Sequence, residues 1–238
     1  MSENCKGNFK DRSDFKKITK RLDAGNKRFI DVKSIHPNVG RERRKCTAEN
    51  GQKPYAIVLS CADSRVPPEL IFDTGIGDLF VVRIAGNIAN TSAIASIEFA
   101  VAVLGCQYIL VLGHESCGAV QAAIDGGEPA SPSLEHLVNH IKPAVKACGC
   151  CSDDDEIVKS DWKTLEESCN FESAPKKSTA KAKRLKRVTI ENAHHSASEL
   201  LHHSEILRRS FLSNNLAIHT GYYNLASGKV DFDLPSQC

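Results

Sequence analysis

The chain has no long hydrophobic run and no marked excess of positive or negative charge. None of its apolar stretches approaches the roughly 20 residues that a membrane-spanning helix requires, and its first residues lack the apolar core of a signal peptide. The formal net charge is +2, and the composition carries no collagen-like or repeat bias. A membrane protein, a secreted protein and a nucleic-acid-binding protein are therefore not expected. The sequence is typical of a cytoplasmic globular protein.

Cysteine is the residue type that stands out. The chain has ten cysteines scattered through 238 residues, whereas the small secreted domains that depend on disulfides are far shorter. Most of the cysteines are therefore predicted to be free thiols. In a reducing compartment a cysteine with a function is expected to ligate metal or to do chemistry, so the positions of individual cysteines matter more than their number.

Hydrophobic periodicity indicates alternating helices and strands. Phe15, Ile18 and Leu22 share one stripe of an amphipathic helix predicted from about Ser13 to Phe29, within an N-terminal arm of about residues 10–30. Continuous apolar runs leave no face of a strand exposed to solvent, and they therefore predict buried strands. Such runs occur at Tyr55–Leu59, Leu79–Ile84, Tyr108–Leu112 and, more weakly, Leu216–His219. Further helices are predicted for Ile94–Leu104, Cys117–Ile124, Ser133–Cys148, Val188–Leu201 and Glu205–Leu212.

Strands that are apolar on both faces and alternate with helices imply a sheet covered on both sides. The predicted fold is α/β, with a central, mainly parallel sheet of about four parallel strands and an antiparallel edge strand from the hairpin-like segment Asn224–Phe232. We expect one domain over residues 1–238. A highly charged stretch at about 152–187 is predicted to be a solvated insertion. A nuclear-localisation or nucleic-acid-binding tract is the alternative interpretation of this stretch.

Two cysteine-bearing segments follow buried strands. These segments are Cys61-Ala-Asp63-Ser-Arg65, after the first strand, and Gly113-His114-Glu-Ser-Cys117-Gly118, after the third. Adjacent parallel strands lie about 4.8 Å apart, so residues just beyond their ends can meet at one ion. Two thiolates and an imidazole suit zinc, and three protein ligands leave a fourth position for water. A buried structural pair of cysteines is the competing interpretation, but a carboxylate beside a thiolate ligand needs a cation, which Arg65 supplies.

These two segments resemble the signature of the β-class carbonic anhydrases, Cys-x-Asp-x-Arg followed by His-x-x-Cys. The likeness continues through Gly77–Arg83, Ala85–Asn87, Ser96–Glu98, Val111–Ala119 and Gly221–Val230, and so covers most of the chain apart from the insertion. The resemblance implies that Cys61, His114 and Cys117 bind Zn²⁺ and that Asp63 and Arg65 form a dyad beside the metal. It also implies reversible hydration of carbon dioxide to bicarbonate and a proton by a zinc-bound hydroxide.

The resemblance further implies a substrate pocket. Gln52 falls where the family places an amide that can hydrogen-bond substrate, Phe80 falls at a position that lines the carbon dioxide pocket, and Gly118 is assigned to the same pocket. Phe99 occupies a position that is Tyr in some members, so any role of a hydroxyl there is lost.

One subgroup of the family carries a Trp three residues before the first zinc cysteine and a Gly directly before it. This sequence has Val58 and Ser60 at those positions. The resemblance therefore implies an open metal site with water on zinc at neutral pH, rather than a site closed by Asp63.

Two other functions remain open at this stage. A zinc hydrolase of carbon disulfide or carbonyl sulfide would use the same fold and metal ligands, and a non-catalytic zinc or redox-sensing binding module would use the metal alone. The amphipathic arm has no obvious partner within a lone domain, and family members use such arms to clasp a second subunit. We therefore expect a homodimer or homotetramer, with no nucleic-acid or membrane partner.

Two other groups of residues suggest a metal or redox site, but each has a simpler interpretation. Cys148-Gly-Cys-Cys151 is interpreted as an unspecific surface cluster rather than a metal or redox site. His194, His195, His202 and His203 surround Glu199 at helical spacing, so one helix face could hold a second ion, although a solvated polar face is the preferred interpretation.

Overall fold

The structure is a computed structural model that describes residues 14–149, 179–236 and 238. Its helices are α1 Phe15–Ile30, α2 Arg41–Asn50, α3 Pro68–Ile71, α4 Thr91–Ala102, α5 Gly118–Asp125, α6 Pro132–Cys148, α7 Thr179–His203 and α8 Glu205–Leu212, with a 3₁₀ helix at Ala85–Asn87. Its strands are β1 Ala56–Ser60, β2 Leu79–Arg83, β3 Tyr108–His114, β4 Ala217–Tyr223 and β5 Val230–Phe232. Within the described residues, no helix is long and apolar enough to cross a membrane.

The strands form one sheet in the order β2-β1-β3-β4-β5. The first four strands in this order pair in parallel, and β5 pairs antiparallel with β4 at the edge. This arrangement confirms the predicted mainly parallel sheet with an antiparallel edge strand.

The central strands are buried because their apolar side chains alternate between two cores. Every residue of β1 and β3 is buried. On one face, Ile57 and Leu59 of β1 belong to a cluster that includes residues of α4, α7 and α8. On the other face, Ala56 and Val58 belong to a cluster that includes residues of α1 and α3. Two apolar faces explain why these strands read as continuous hydrophobic runs in the sequence.

Helix α1 docks on its own chain, contrary to the expectation that the arm would need a second subunit. Ile18 and Leu22 are fully buried in the core beside β1 and β3. The buried side chain of Asn26 donates hydrogen bonds to the carbonyl oxygens of Ile71 and Gly228 and accepts one from the Val230 N–H. The apolar stripe of α1 is thus buried against the core of its own chain, and it gives no reason to expect a second subunit.

Gly25 allows the close approach of α1 to α3. A Cβ at this position would overlap the backbone carbonyl group of Phe72. We expect Gly25→Ala to lower the free energy of unfolding by about 3 kcal/mol or more, because backbone cannot move aside as a flexible side chain can. Gly40→Ala is the matched control, since a Cβ there meets nothing within 4 Å, and it should cost no more than about 1 kcal/mol. Urea unfolding followed by circular dichroism measures both, and equal losses would contradict the packing argument.

The predicted insertion at 152–187 is in part a helix. Residues 150–178 lie outside the described residues, but α7 begins at Thr179, well before the predicted start at Val188. Leu185 is buried against α6 together with Val188. The two residues stand one helical turn apart, so they extend the apolar stripe of α7 into the charged segment.

The expectation that most cysteines are free thiols is wrong for half of the described ones. Cys148 forms a disulfide with Cys238, and Cys46 is also disulfide-bonded. Cys61, Cys106 and Cys117 carry thiols. Cys148 is buried in the core between α5, α6 and α7, which corrects its interpretation as part of a surface cluster. The pairing joins residues 90 positions apart, and sequence alone does not reveal such connectivity.

Candidate metal centre

Three side chains that could ligate a metal ion meet at the carboxyl ends of two neighbouring strands. Cys61 directly follows β1, His114 is the last residue of β3, and Cys117 directly precedes α5. Their ligand atoms all lie within 4.8 Å of one another. The three residues are 5%, 0% and 1% exposed, respectively. Because β1 and β3 are hydrogen-bonded parallel neighbours, their ends lie side by side, as the sequence analysis expected.

The imidazole of His114 is held in an orientation that leaves one ring nitrogen available to bind a metal. Its Nδ1 donates a hydrogen bond to the carbonyl oxygen of Glu115 at 2.9 Å, which fixes the ring and leaves the lone pair on Nε2. Nε2 is buried and has no hydrogen-bond partner among the described residues. A buried polar atom without a partner is costly, and an ion held between this nitrogen and two sulfur atoms would satisfy it. The residues therefore fit a metal.

The two thiols differ in their ease of ionisation. The Cys117 thiol and the backbone N–H groups of Asp63 and Gly86 lower the pKa of Cys61 by hydrogen bonding to its sulfur, and the adjacent His114 imidazole acts in the same direction. The neighbouring Cys61 sulfur and burial raise the pKa of Cys117. One thiolate is therefore stabilised by the protein itself, and a bound cation would stabilise the second.

Asp63 and Arg65 form a bidentate ion pair beside these ligands. Arg65 donates from Nε to Oδ1 at 2.9 Å and from Nη2 to Oδ2 at 2.7 Å, and its backbone N–H also donates to Oδ1. These hydrogen bonds lower the pKa of Asp63 to about 2. The carboxylate is thus ionised at neutral pH. Its Oδ2 lies 4.0 Å from Nε2 of His114, so it faces the ligand cluster.

Sequence analysis assigned no role to two residues that support the centre from outside. Arg83, at the end of β2, donates to the carbonyl oxygens of Cys61 and Asp63 at 3.2 and 2.6 Å. Asn192 of α7 donates to the carbonyl oxygen of Gly86 at 2.8 Å, and the Gly86 N–H in turn donates to the sulfur of Cys61. Arg83 could have been found from the sequence, because it is a basic residue at the end of a strand predicted to share a sheet with the strand before Cys61. Nothing in the sequence near Cys61, His114 or Cys117 pointed to Asn192.

The predicted pocket residues do not all reach this centre within one chain. Gly118 directly follows Cys117 and is exposed. Gln52 and Phe99 instead line an open depression of about 680 Å³ near the amino end of β1. The five residues of β1 span roughly 16 Å, and this length separates Gln52 from Cys61. Phe80 is the second residue of β2 and lies near the same amino end.

Comparison with known proteins agrees with this geometry. The carbonic anhydrase family profile matches residues 56–230. A carbonic anhydrase of Mycolicibacterium smegmatis is 45% identical over 129 residues, and the aligned part covers 53% of this chain but only 62% of that relative's length. A carbonic anhydrase of Pseudomonas aeruginosa is 30% identical over 186 residues, which cover 76% of this chain and 73% of that protein.

Solved structures share the fold. A chain from the crystal structures of two tetrameric β-carbonic anhydrases of Sordaria macrospora superposes with a TM-score of 0.61 at 19% identity, covering 91% of this chain and 96% of that chain. The profile match spans most of the sequence and includes Cys61, His114 and Cys117. The chain therefore belongs to the β-carbonic anhydrase family.

Proposed function

We propose that the protein catalyses the reversible hydration of carbon dioxide to bicarbonate and a proton, with Zn²⁺ held by Cys61, His114 and Cys117. The observation that carries the proposal is the cluster of three buried ligand atoms with an unpartnered imidazole nitrogen. Two thiolates and an imidazole are donors that suit zinc. Three protein ligands leave one tetrahedral position for solvent, which separates a catalytic site from a closed structural one.

Zinc bound at such a site acts as a Lewis acid that lowers the pKa of water, to about 7 in a carbonic anhydrase whose zinc is held by three histidines. The residues of this chain would orient the nucleophile. Asp63 stays ionised because Arg65 holds it, so it can only accept a hydrogen bond. A solvent molecule that donates a hydrogen bond to Asp63 has its remaining lone pair directed away from the carboxylate, toward substrate. Arg65 keeps the carboxylate in place with two bonds.

A pocket for carbon dioxide is proposed to form between two copies of the chain. The substrate is small and apolar, so it needs an apolar surface and one hydrogen-bond donor. Gln52, Phe80 and Phe99 have this chemistry, but they lie near the amino end of the sheet, away from the Cys61 centre of their own chain. Phe99 is 47% exposed. A homodimer or homotetramer in which these residues reach the centre of a second copy would satisfy both observations, and the tetrameric Sordaria relatives support such an assembly.

Mixing two inactive variants tests the shared pocket. Cys61→Ser should lack zinc and keep the pocket residues, while the double variant Gln52→Ala/Phe99→Ala should keep zinc and lack the pocket. Each variant alone is expected to be nearly inactive. Random reassembly into dimers should restore up to about a quarter of the wild-type rate, because half of the dimers are hybrids and one of the two sites in each hybrid is complete. A mixture no more active than its components would contradict the shared pocket.

Substrate choice is tested by two assays on the same zinc-quantified sample. Stopped-flow hydration of carbon dioxide should proceed at a rate proportional to the zinc content, with no comparable release of sulfide from carbon disulfide or carbonyl sulfide. Sulfide release without hydration would favour the hydrolase on the same fold. A full complement of zinc with neither activity would favour a non-catalytic zinc or redox-sensing module.

A further inference from the structure

A cluster of histidines lies where α6 packs against α7, outside the Cys61 centre. Helix α6 contributes His136 and His140, and α7 contributes His195, Glu199 and His203. On each helix these residues are four positions apart, so they share one face. The sequence pattern on α7 alone was ambiguous, and the structure adds a second, facing pair from α6.

The two histidines of α6 already have the spacing of two ligands on one ion. Their Nε2 atoms are 3.3 Å apart and hydrogen-bonded to each other, so a bound ion would take the place of the shared proton, and the rings meet edge to face with centroids 4.8 Å apart. Two nitrogen atoms bound to one tetrahedral zinc at about 2.0–2.1 Å are themselves separated by about 3.3 Å. His136 is exposed and His140 is half-buried, so an ion from solvent has access to both nitrogen atoms.

Glu199 of α7 is placed to act as a third ligand. Its Oε2 accepts a hydrogen bond from Nε2 of His203 at 3.0 Å, which leaves Oε1 available. Burial and the neighbouring His136 lower the pKa of His140, whereas Glu199 acts in the opposite direction, so the carboxylate is near enough to influence that ring. Among the described residues, three ligand atoms lie within 4.8 Å of one another only at the Cys61 centre. Glu199 would therefore have to rotate toward the pair, and its side chain is 24% exposed.

We propose that this α6–α7 face is a second metal site, which binds a divalent transition-metal ion through His136, His140 and Glu199, with His203 orienting the carboxylate. Imidazole donors favour Zn²⁺, Ni²⁺ and Cu²⁺ over Mg²⁺ or Ca²⁺. A hydrogen bond from a ligating or supporting histidine to a carboxylate is a common feature of such sites. Because its ligands come from two helices, the ion would fasten α6 to α7 and raise the melting temperature of the folded chain.

The test is calorimetric titration of the untagged, zinc-loaded protein with NiCl₂, with release of the resident zinc monitored. We expect one Ni²⁺ per chain and no loss of zinc. The double variant His136→Gln/His140→Gln should bind Ni²⁺ at least tenfold more weakly, and Glu199→Gln should bind it several-fold more weakly. The control His36→Asn removes an exposed imidazole that lies outside the α6–α7 face, and it should bind as the wild type does.

Circular dichroism and the zinc content of the Cys61 centre verify that each variant is folded. If the double variant is not folded, the single change His136→Gln at the exposed position replaces it, with the same direction expected. Weakening in His36→Asn as large as that in His136→Gln would show that scattered surface histidines bind the ion and would overturn the proposal. Wild-type affinity in His136→Gln/His140→Gln, or no binding of Ni²⁺ at millimolar concentration, would overturn it as well.

Discussion

Cys61→Ser is expected to abolish both zinc binding and carbon dioxide hydration. A serine hydroxyl is a far poorer zinc donor than a thiolate, and Cys61 is the ligand whose thiolate the protein itself stabilises. Since loss of a mere supporting residue around a metal typically costs 10–100-fold in metal affinity or activity, loss of this ligand should cost more than about a hundredfold in hydration rate. The measurements are zinc per chain by atomic absorption and the stopped-flow rate.

Cys106→Ser is the matched control for this substitution. Cys106 is also a buried thiol, but it belongs to the core beside α4 and not to the ligand cluster. We expect this variant to lose some stability and to retain zinc and activity. A Cys61→Ser protein that keeps a full equivalent of zinc at wild-type affinity would show that the ion is held elsewhere.

Asp63→Asn is expected to keep zinc and lose most of its turnover. The amide is neutral, so it loses the ion pair with Arg65, and it can donate a hydrogen bond where the carboxylate only accepts. The nucleophilic water would then no longer be held in one orientation. A preorganised polar contact of this kind is worth about a hundredfold or more in rate, and we expect a loss of that size in kcat with zinc content unchanged.

Asp233→Asn provides the comparison for the dyad. Asp233 also carries a carboxylate that is hydrogen-bonded to a basic side chain, that of His219, but it follows β5 at the edge of the sheet. Its substitution should leave turnover as it is in the wild type. Unchanged turnover in Asp63→Asn would remove the dyad from the mechanism while leaving the metal centre intact.

The sheet and the ligand cluster were predictable because their signals are local. The strands β1 and β3 are continuous apolar runs, and such runs indicate strands covered on both faces. Parallel neighbours bring the ends of strands together whatever the loop length between them, so Cys61 and His114 could be placed at one edge. The third residue of the cluster, Cys117, is only three residues beyond His114.

The features that sequence analysis missed depend on tertiary contacts. Helix α2 is highly charged and has no apolar period, and its Arg43 is buried through a hydrogen bond to the carbonyl oxygen of Ile76 and an ion pair with Asp78. Gln52 and Phe99 were assigned to the pocket by resemblance alone, and a resemblance does not show how far such residues lie from Cys61 in the fold. The positions of these residues are set by packing between segments that are distant in the sequence. Hydrophobic periodicity is a local pattern and does not predict such packing.

The docking of the N-terminal helix shows the same limit. Its stripe of Phe15, Ile18 and Leu22 was visible in the sequence, but an amphipathic face does not identify the surface that covers it. The polar anchor of Asn26, which joins α1 to the backbone near Ile71 and Gly228, settles the question in favour of the same chain.

The most direct measurement is the hydration rate of metal-stripped protein as zinc is added back. We predict that the rate rises in proportion to zinc and reaches its plateau at the first equivalent per chain, because the cluster of Cys61, His114 and Cys117 fills first and is the site of turnover. A first equivalent that binds tightly without any hydration would contradict the account, as would activity in the stripped protein.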